Sequence, residues 1–476
     1  MYFTSLDFGA FFLATFILYY LPVSRRFQVE LLIVASLFIY WLEAGNFLIL
    51  LVLSSASTAL LSYRLTGAGG RSWTAFLGVA GNLLVLGFFK YKGLVLTMPE
   101  GEGQLNELLR AALPVGISFY TFHGISLIVD TYRDPRPLIG ATGRRFGAHL
   151  SKTLLYMSFF PQLVAGPIAK GKFLFPQIGP RRFADIEWQP ALDDLVRGYF
   201  LKAVLADNLA QFTAPMTTPN AWAVDSFYHL SAMMLAYSAQ IYADFAGYSL
   251  IALGLARLLG YRLPQNFDNP YLAGSFAEFW RRWHMSLSSW LRDYLYIPLG
   301  GNRRGALRTY ANLFIVMALG GLWHGAAWKF AVWGIWHGVA LMAERALGEH
   351  LPRPAPGSRA AAIFDGATKP LRILFVFTYV TFGWLLFKLD SFTDVLHYLE
   401  RLLQFPTDAS YHGVNDANTM LILSGIVLAY QLATEFLPRG VPAAWRQTAK
   451  PALLAAMLVL ILFGSGDKNA FIYFQF

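Results

Sequence analysis

Long apolar stretches separated by short polar gaps recur along almost the whole chain. A helix needs about 20 mostly apolar residues to cross the hydrocarbon core of a bilayer, and most of the stretches approach that length. The pattern predicts an all-α polytopic membrane protein with about eleven or twelve transmembrane helices and no separate soluble domain. The predicted spans are residues 8–22, 29–43, 46–63, 73–90, 112–130, 227–245, 246–260, 310–327, 330–347, 371–389, 418–436 and 451–464.

Basic residues concentrate in alternate loops, as the positive-inside rule describes for cytoplasmic loops. They follow the first, third and fifth spans, whereas the segment 99–110, between the fourth and fifth spans, carries three glutamates. The alternation continues in the basic segments 353–372 and 439–450 and the acidic segment 390–416. Both termini are therefore predicted on the outer side. We expect the first stretch to be retained as a span, because Arg25 and Arg26 follow it where a signal peptide would have a small-residue cleavage site.

The centre of the chain departs from a plain helix bundle. Residues 153–178 are apolar but interrupted by Pro161, Gly166, Pro167 and Pro176. This predicts a re-entrant segment, because freed backbone groups at membrane depth must face protein or a water-filled cavity. Residues 192–213 and 275–296 mix charged and aromatic residues, which is typical of interfacial amphipathic helices.

Composition agrees with the membrane class, since 56% of the residues are hydrophobic and only 14% are charged. The formal net charge of +10 comes from basic residues in short loops between apolar spans. The positive-inside rule and attraction to anionic lipid headgroups explain such loops, so the charge does not indicate binding to nucleic acid. The chain has no cysteine. This excludes disulfides, thiolate metal sites, palmitoylation of this chain and a cysteinyl acyl intermediate.

Nine histidines are the main candidates for chemistry. Four fall in polar loops and are expected at the surface: His149, His350, His397 and His412. Two lie in or beside apolar spans without polar neighbours, so hydrogen-bonded packing is their simplest role: His123 and His229. Three others stand out: His284, His324 and His337.

His324 lies in the sequence Gly-Gly-Leu-Trp-His-Gly (320–325), within an apolar stretch. An ionisable residue in a span is costly and is by default a functional candidate, and the flanking glycines allow close approach of a backbone or a ligand. A histidine hydrogen-bonded to a neighbouring helix is an alternative of similar weight. His337 follows thirteen residues later, on another helix face, so it is expected to pack or to support the site indirectly.

His284 belongs to the segment 278–288, which combines charged and aromatic residues. On one continuous helix Trp280, His284 and Ser288 would align at i, i+4 and i+8. An interfacial helix with an aromatic belt is the alternative that composition favours.

Acidic residues are scarce in the apolar parts of the chain, so Asp130 and Asp244 are noticeable. Asp244 could cap a helix, pair with an arginine or orient a histidine, and the sequence leaves the three roles open.

Templates of several other enzyme classes are absent. The chain has no Gly-x-Ser-x-Gly elbow, no Gly-x-Gly-x-x-Gly after a strand and no His-Glu-x-x-His helix. Residues 166–172 have the glycine and lysine spacing of a Walker loop, but Phe173 stands where a magnesium-binding Ser or Thr should be. ATP-driven transport and zinc chemistry therefore lose support, and no metal site is expected.

Several motifs resemble the membrane-bound O-acyltransferase (MBOAT) family, most closely its alginate O-acetylation branch. The most specific are 283–288, 290–303 and 321–325, and the others are 113–122, 158–168, 265–271 and 471–476. One motif departs from that branch: Asp244-Phe-Ala-Gly-Tyr-Ser-Leu250 is similar to the D-alanyl transferase branch that modifies teichoic acids. Because of this departure, the motifs do not decide between acetyl and D-alanyl as the transferred group.

The resemblance implies an MBOAT fold with re-entrant and interfacial helices around a central tunnel, in a bacterial inner membrane with both termini periplasmic. The whole chain, 1–476, would be one domain, with peripheral spans (1–130), a re-entrant and amphipathic region (150–215), a catalytic core (227–347) and C-terminal spans (371–476). His324 corresponds to the family's catalytic histidine and His284 to its second polar group. Residues expected to line the tunnel are Trp283, Trp323, Ser288, Arg281, Asp244 and Tyr248.

The implied reaction passes an acyl group, preferably acetyl, from a cytoplasmic thioester to an exported polysaccharide such as alginate or cellulose. The donor would be acetyl-CoA or an acyl carrier protein, and a periplasmic acyltransferase partner would complete the transfer. Membrane lipid is the other expected partner, with no permanently bound cofactor and no nucleic acid. D-alanyl transfer, a transporter or flippase with a histidine proton relay, and a non-catalytic scaffold are the alternatives.

Neutral imidazole is suited to take the proton of an attacking hydroxyl, and we assign this role to His324. His284 would orient the donor or stabilise the developing oxyanion.

Overall fold

The structure is a computed structural model that describes residues 3–67, 70–95, 113–143, 145–163, 166–218, 226–350, 358–404, 411–440, 443–467, 469 and 471–472. Over these residues the secondary structure is helical, with no strand. The chain divides into two compact units, which are described separately. The first contains the described parts of Met1–Leu195 and Tyr248–Gln265, and the second those of Val196–Gly247 and Asn266–Ile472.

The first unit is built from helices of very different length. They are α1 (Leu6–Tyr20), α2 (Gln28–Ala44), α3 (Phe47–Arg64), α4 (Arg71–Val95), α5 (Ile117–Arg133), α6 (Arg136–Thr142), α7 (Phe146–Ser158), α8 (Phe160–Leu163), α9 (Gly171–Leu174) and α10 (Trp188–Tyr199), whose last turn falls in the second unit. Short 3₁₀ turns occur at Pro22–Arg26, Phe175–Gln177 and Phe183–Asp185. Ser5 caps α1 by accepting a hydrogen bond from Phe8 N at 3.1 Å, which fixes where the first helix begins.

Small polar residues mediate helix packing in the first unit. Ser62 on α3 lies 2.9 Å from a ring nitrogen of His149 on α7, and the histidine is completely buried. The prediction that His149 lies at the surface was therefore wrong. The polar residues around it in sequence suggested a loop, but α7 turns His149 toward α3, where the serine hydroxyl makes burial of the imidazole tolerable. His397 is exposed as predicted, whereas the side chains of His350 and His412 lie outside the described part of the chain.

The interrupted segment 153–178 forms short helices joined by bends, as its prolines and glycine predicted. Asp130 at the end of α5 accepts a hydrogen bond from Lys172 N at 3.0 Å, so it tethers α9. A Cβ on Gly171 would lie 2.8 Å from Leu127 Cα, so the glycine allows α9 to rest on α5. These contacts explain the Walker-like spacing as packing. The position of the segment relative to the membrane stays a prediction.

The second unit contains most of the long helices. Its elements are a π-helix (Phe200–Ala206), α11 (Asp207–Thr213), the first part of α12 (Phe227–Leu258), α13 (Phe276–Arg282), α14 (Met285–Leu291), a second π-helix (Arg292–Tyr296), α15 (Ala306–His324), α16 (Trp328–His350), α17 (Arg359–Lys388), α18 (Phe392–Leu403), α19 (Tyr411–Gly440) and α20 (Ala443–Phe463). Two 3₁₀ turns occur at Ala214–Thr217 and Pro270–Leu272.

Two predictions for this region were wrong. The spans predicted at 227–245 and 246–260 are one continuous helix, α12, because Gly247 at their junction serves close packing rather than a turn. Residues 200–206, predicted to be interfacial, are all buried. Their charged residue, Lys202, is paired inside the protein at 2.8 Å from Asp207, so charge in the sequence did not indicate contact with water.

Among the described residues, six helices are long and apolar enough to cross a membrane, and two shorter apolar helices accompany them. In α12 the most apolar window is 89% buried, against 22–44% in the other five. Large apolar side chains are correspondingly exposed elsewhere, such as Phe463 at 87%. The chain is therefore a multi-pass membrane protein in which α12 is internal and the other candidate spans present side chains to lipid. The number of crossings stays a prediction.

Substituting Gly247 by alanine should destabilise the protein. A Cβ there would lie 2.8 Å from both Gly198 O and Lys202 N, so the backbones would have to separate, at a cost of about 1–3 kcal/mol. Thermal unfolding in detergent should show a lower midpoint for Gly247→Ala. The matched control is Gly425→Ala in α19, where a Cβ meets nothing within 4 Å. Equal midpoints for the two variants would contradict the packing assigned to Gly247.

Candidate active site

His284 lies at a break between two short helices. α13 ends at Arg282 and α14 begins at Met285, and His284 between them has φ 42° and ψ 52°, in the left-handed region. The continuous helix expected over 275–296 is therefore wrong, and Trp280, His284 and Ser288 are not stacked on one helix face. Sequence periodicity could not detect the break, because it contains neither proline nor glycine.

Backbone hydrogen bonds on both sides hold this break in place. Asp268 N donates to Arg282 O at 2.9 Å, and Met285 N donates to Asn266 O at 2.9 Å. The segment 266–268 thus pairs with the residues on either side of His284. A left-handed residue other than glycine costs about 1–2 kcal/mol, and these paired bonds supply the compensation.

Asn266 also fixes the orientation of the His284 ring. Its Oδ1 accepts a hydrogen bond from Ser286 N at 3.3 Å and from Ser286 Oγ at 2.9 Å, and it lies 3.1 Å from His284 Nδ1. A backbone N–H can only donate, so the atom that receives it is the amide oxygen and Nδ1 must carry the proton. Neutral His284 therefore presents Nε2 as its lone-pair nitrogen.

His284 is completely buried beneath aromatic side chains. The ring of Phe245 packs edge-on against it with centroids 4.6 Å apart. Burial lowers the pKa of His284 to about 3, because the imidazolium cannot be solvated there. The ring is consequently neutral at physiological pH.

His324 is the last residue of α15, and close contact between α15 and α16 determines its position. A Cβ on Gly321 would overlap the carbonyl of Phe330, and one on Gly334 would overlap the carbonyl of Met317. The glycines of the 320–325 motif therefore permit the close helix approach that the sequence predicted. At the carboxyl end of a 19-residue helix, the helix dipole favours a positive charge on His324.

The two histidine rings approach each other inside an aromatic enclosure. Their centroids are 6.3 Å apart, so both imidazoles lie close enough to act on one bound group. His324 is 4% exposed and contacts the rings of Trp323, Trp333 and Phe387 at 5.1, 5.1 and 5.6 Å. The structure thus brings together the two residues that the sequence singled out, in surroundings that exclude water.

His337 lies outside this pair, as its position in the sequence predicted. Its ring stacks on Phe279 at 6.0 Å and meets Trp333 at 4.9 Å. Since Trp333 also contacts His324, His337 supports the aromatic enclosure through Trp333.

The residues predicted to line a tunnel occupy different environments. Trp323 and Trp283 are buried, and Trp323 packs 6.2 Å from the His284 ring. Ser288 lies in α14, where its N donates the first helical hydrogen bond to His284 O at 2.9 Å and its Oγ donates to Trp283 O at 3.3 Å. Arg281 is exposed on α13, and Asp244 pairs with Lys202 at 2.7 Å. In the first unit, Tyr248 stacks on Phe3 at 4.8 Å. Their part in a tunnel stays a prediction.

Asn266 is the functional residue that sequence reasoning missed. It belongs to the motif 265–271, which contributed to the family resemblance but received no role. An asparagine in a loop is usually a turn residue, and only the fold reveals that it lies beside a histidine 18 positions later. Among the described residues, no three His, Asp or Glu side chains come together as metal ligands would.

Comparison with known proteins identifies the family of the chain. The sequence model of the membrane-bound O-acyltransferase family matches residues 23–385, which include both histidines. The chain therefore belongs to the membrane-bound O-acyltransferase family, and it is an acyltransferase.

Its relatives act on cell-surface polymers. Probable alginate O-acetylase AlgI of Pseudomonas aeruginosa is 37% identical over 92% of this chain and 81% of its own length. The peptidoglycan O-acetyltransferase of Helicobacter pylori is 31% identical over 98% of this chain and 94% of its own. A teichoic acid D-alanyltransferase of Streptococcus thermophilus is 30% identical over 48% of this chain and 56% of its own.

The lowered pKa of His284 predicts a specific dependence of stability on pH. The unfolded residue titrates near 6.5 and the folded one near 3, so the stability it contributes is complete above pH 6.5 and is lost as the pH falls. Between pH 7 and 5 the loss is about 2 kcal/mol. In His284→Asn, which does not titrate and tolerates the left-handed backbone, the unfolding midpoint in detergent should fall less over this range than in wild type. Equal decreases would mean that His284 is not desolvated.

Proposed function

We propose that this chain is an O-acetyltransferase that passes an acetyl group from a cytoplasmic thioester for O-acetylation of an exported cell-surface polysaccharide such as alginate or cellulose. Relatives that acetylate alginate and peptidoglycan, aligned over most of their length, support acetyl as the group and a polysaccharide as the acceptor. The observation that carries the proposal is the pair of buried rings, His284 and His324, 6.3 Å apart.

His324 is the general base. As the acceptor hydroxyl attacks the thioester carbonyl, its proton passes to the imidazole of His324, and a tetrahedral intermediate with a negative oxygen forms. Collapse of the intermediate expels the thiolate, which takes the proton back from the imidazolium. The carboxyl end of α15 stabilises the cation in between, which suits His324 to this role.

His284 orients the donor. A neutral ring that donates Nδ1–H to Asn266 has only a lone pair at Nε2, so it can accept a hydrogen bond but cannot donate one to an oxyanion. Of the two roles that the sequence left open, orientation of the donor is therefore favoured over oxyanion stabilisation. An amide N–H of the donor's pantetheine arm is a suitable hydrogen-bond partner for Nε2.

The aromatic enclosure protects the thioester. Trp323, Trp333 and Phe387 surround His324 with apolar ring surface. Excluding water prevents the base from activating a water molecule in place of the acceptor hydroxyl, which would only hydrolyse the donor.

The route of the acyl group is the wider part of the proposal. A tunnel through an MBOAT fold of eleven or twelve crossings would connect a cytoplasmic donor, acetyl-CoA or an acyl carrier protein, with a periplasmic acyltransferase partner. The enzyme would then lie in the bacterial inner membrane with both termini periplasmic.

Alanine at His324 should abolish acetylation. Removal of a general base costs about 10²–10⁴ in rate, and His284→Ala should cost less because it removes orientation only. The measurement is acetate released by mild alkali from the exported polysaccharide of cells that lack the native gene and carry each variant. His397→Ala, at an exposed histidine, is the matched control and should restore full acetylation.

Protein amounts in the membrane must be equal for the comparison. Full acetylation by His324→Ala at wild-type abundance would refute the assignment. Release of D-alanine in place of acetate would retain the reaction class and correct the acyl group.

A further inference from the structure

A buried cluster of charged side chains lies in the second unit, and its lysine, Lys202, belongs to the first π-helix. Lys202 Nζ lies 2.8 Å from Asp207 Oδ1, 2.7 Å from Asp244 Oδ1 and 3.0 Å from Asn469 O. The ammonium group donates hydrogen bonds to Asp207 and to the carbonyl of Asn469, and Asp244 completes the cluster as a second ion-pair partner. The side chains of Lys202, Asp207 and Asp244 are 2%, 2% and 4% exposed, so the cluster is isolated from solvent.

The cluster is also the anchor of the C-terminal segment, defined here as residues 464–472, of which 468 and 470 lie outside the described residues. Gly466 N donates to Ala203 O at 2.9 Å, on the π-helix. A Cβ on Gly466 would lie 2.8 Å from Asn208 N, so the segment runs directly against backbone. Asp244 Oδ2 accepts a hydrogen bond from Ile472 N at 2.7 Å. One carboxylate therefore joins a central helix, a buried lysine and the C-terminal segment.

The anchored segment reaches the candidate active site through two phenylalanines. Phe471, next to the anchored Ile472, packs against Phe245 with ring centroids 5.5 Å apart. Phe245, next to Asp244, packs edge-on against His284 at 4.6 Å. Both phenylalanine rings are completely buried. The two residues that the hydrogen bond joins, Asp244 and Ile472, are thus the direct neighbours of Phe245, which packs against His284, and of Phe471, which packs against Phe245.

We propose that the C-terminal segment, anchored by the Lys202 cluster, is a positioning element of the active site: it holds Phe471 against Phe245, and Phe245 is thereby held against the His284 ring. The functional consequence rests on the proposed role of His284, whereas the positioning itself can be measured without activity. Phe471, Asp244 and Lys202 act in this scheme through the His284 ring and are therefore positioning residues.

The His284 ring lies within hydrogen-bond distance of Asn266 at Nδ1, and the Phe245 ring packs edge-on against it. A hydrogen bond at Nδ1 does not by itself stop the imidazole from rocking about the Nδ1···Oδ1 axis, and a ring packed against it restricts that motion. A phenylalanine can do so only if its own position is fixed. Fixing the chain end by a buried ion pair is effective because leaving one of these charges uncompensated in the interior is strongly unfavourable.

Exchange of the imidazole C2 proton with deuterium reports on this packing directly. Cleavage at lysine and arginine gives the peptide 283–292 with His284 as its only histidine, and the peptide 146–152 with His149 as its only histidine. In full-length Phe471→Ala, C2 exchange at His284 should accelerate about tenfold, because Phe245 loses the ring that packs against it and holds His284 less firmly. Exchange at buried His149 should be unchanged. Phe463→Ala, at a ring 87% exposed on α20, should change neither.

Wild-type exchange at His284 in Phe471→Ala would overturn the proposal, and so would equal acceleration at both histidines, which would mean general loosening. If Phe471→Ala does not accumulate in the membrane, Phe471→Leu takes its place, with a smaller expected acceleration.

A pair of variants at Asp244 isolates the anchor. Asp244→Asn and Asp244→Ala remove the same charge and leave Lys202 paired with Asp207, but only the asparagine keeps an oxygen for Ile472 N. We expect slow exchange at His284 in Asp244→Asn and fast exchange in Asp244→Ala. Equal exchange rates in the two variants would overturn the anchoring role of Asp244.

The functional consequence is tested by combining substitutions. Phe471→Ala should lower acetylation roughly 10- to 100-fold in a wild-type background, and it should add little in His284→Ala, because both act through one ring. If Phe471→Ala lowered acetylation by the same factor in the His284→Ala background as in wild type, the proposed coupling would be overturned and the proposed function would be unaffected. Full acetylation by His284→Ala alone would instead refute the role of His284, and the exchange measurement would still decide the positioning.

Discussion

Burial of polar groups away from water is the constraint on which this structure depends. In an apolar protein within an apolar solvent, an imidazole, an ammonium or a carboxylate has to find its partner inside the fold. His284 finds the amide oxygen of Asn266, and Lys202 finds two carboxylates and a carbonyl. The contacts of Lys202 with Asp244 and Asn469, and of His284 with Asn266, join residues that are separated in sequence, so satisfying them also determines how the helices of the second unit are connected.

Close backbone approach is the second organising factor, and glycine makes it possible. The contact of α15 with α16 and the contact of α12 with the first π-helix both occur where a Cβ would collide with backbone. Without water to drive helices together, association in a membrane relies on such tight van der Waals contact. At α15 and α16 this contact places His324 beside Trp333, and so shapes the candidate active site.

Much of the helical architecture could be predicted from apolar periodicity, because membrane helices are long and their composition is distinctive. The failures have a common cause. Lys202 and His149 were expected near water because they are polar, yet each is buried with a partner that is distant in sequence, Asp244 for Lys202 and Ser62 for His149. The helix break at His284 was missed because it depends on pairing with residues 266–268, and no local signal records a non-local hydrogen bond. The candidate site itself was found through motifs, and the role of Asn266 within it only through geometry.

The left-handed backbone at His284 restricts which residue types can replace it during evolution. Glycine, asparagine, aspartate and histidine adopt φ 42° most readily, so few other side chains can occupy the position without disturbing the fold. Of these four, only histidine combines a donor that can reach Asn266 with a second nitrogen on the opposite edge of a rigid ring. During evolution, the aromatic residues around His284 can be replaced more readily than His284 itself. Differences in substrate between relatives should therefore go with differences in the residues of the aromatic enclosure.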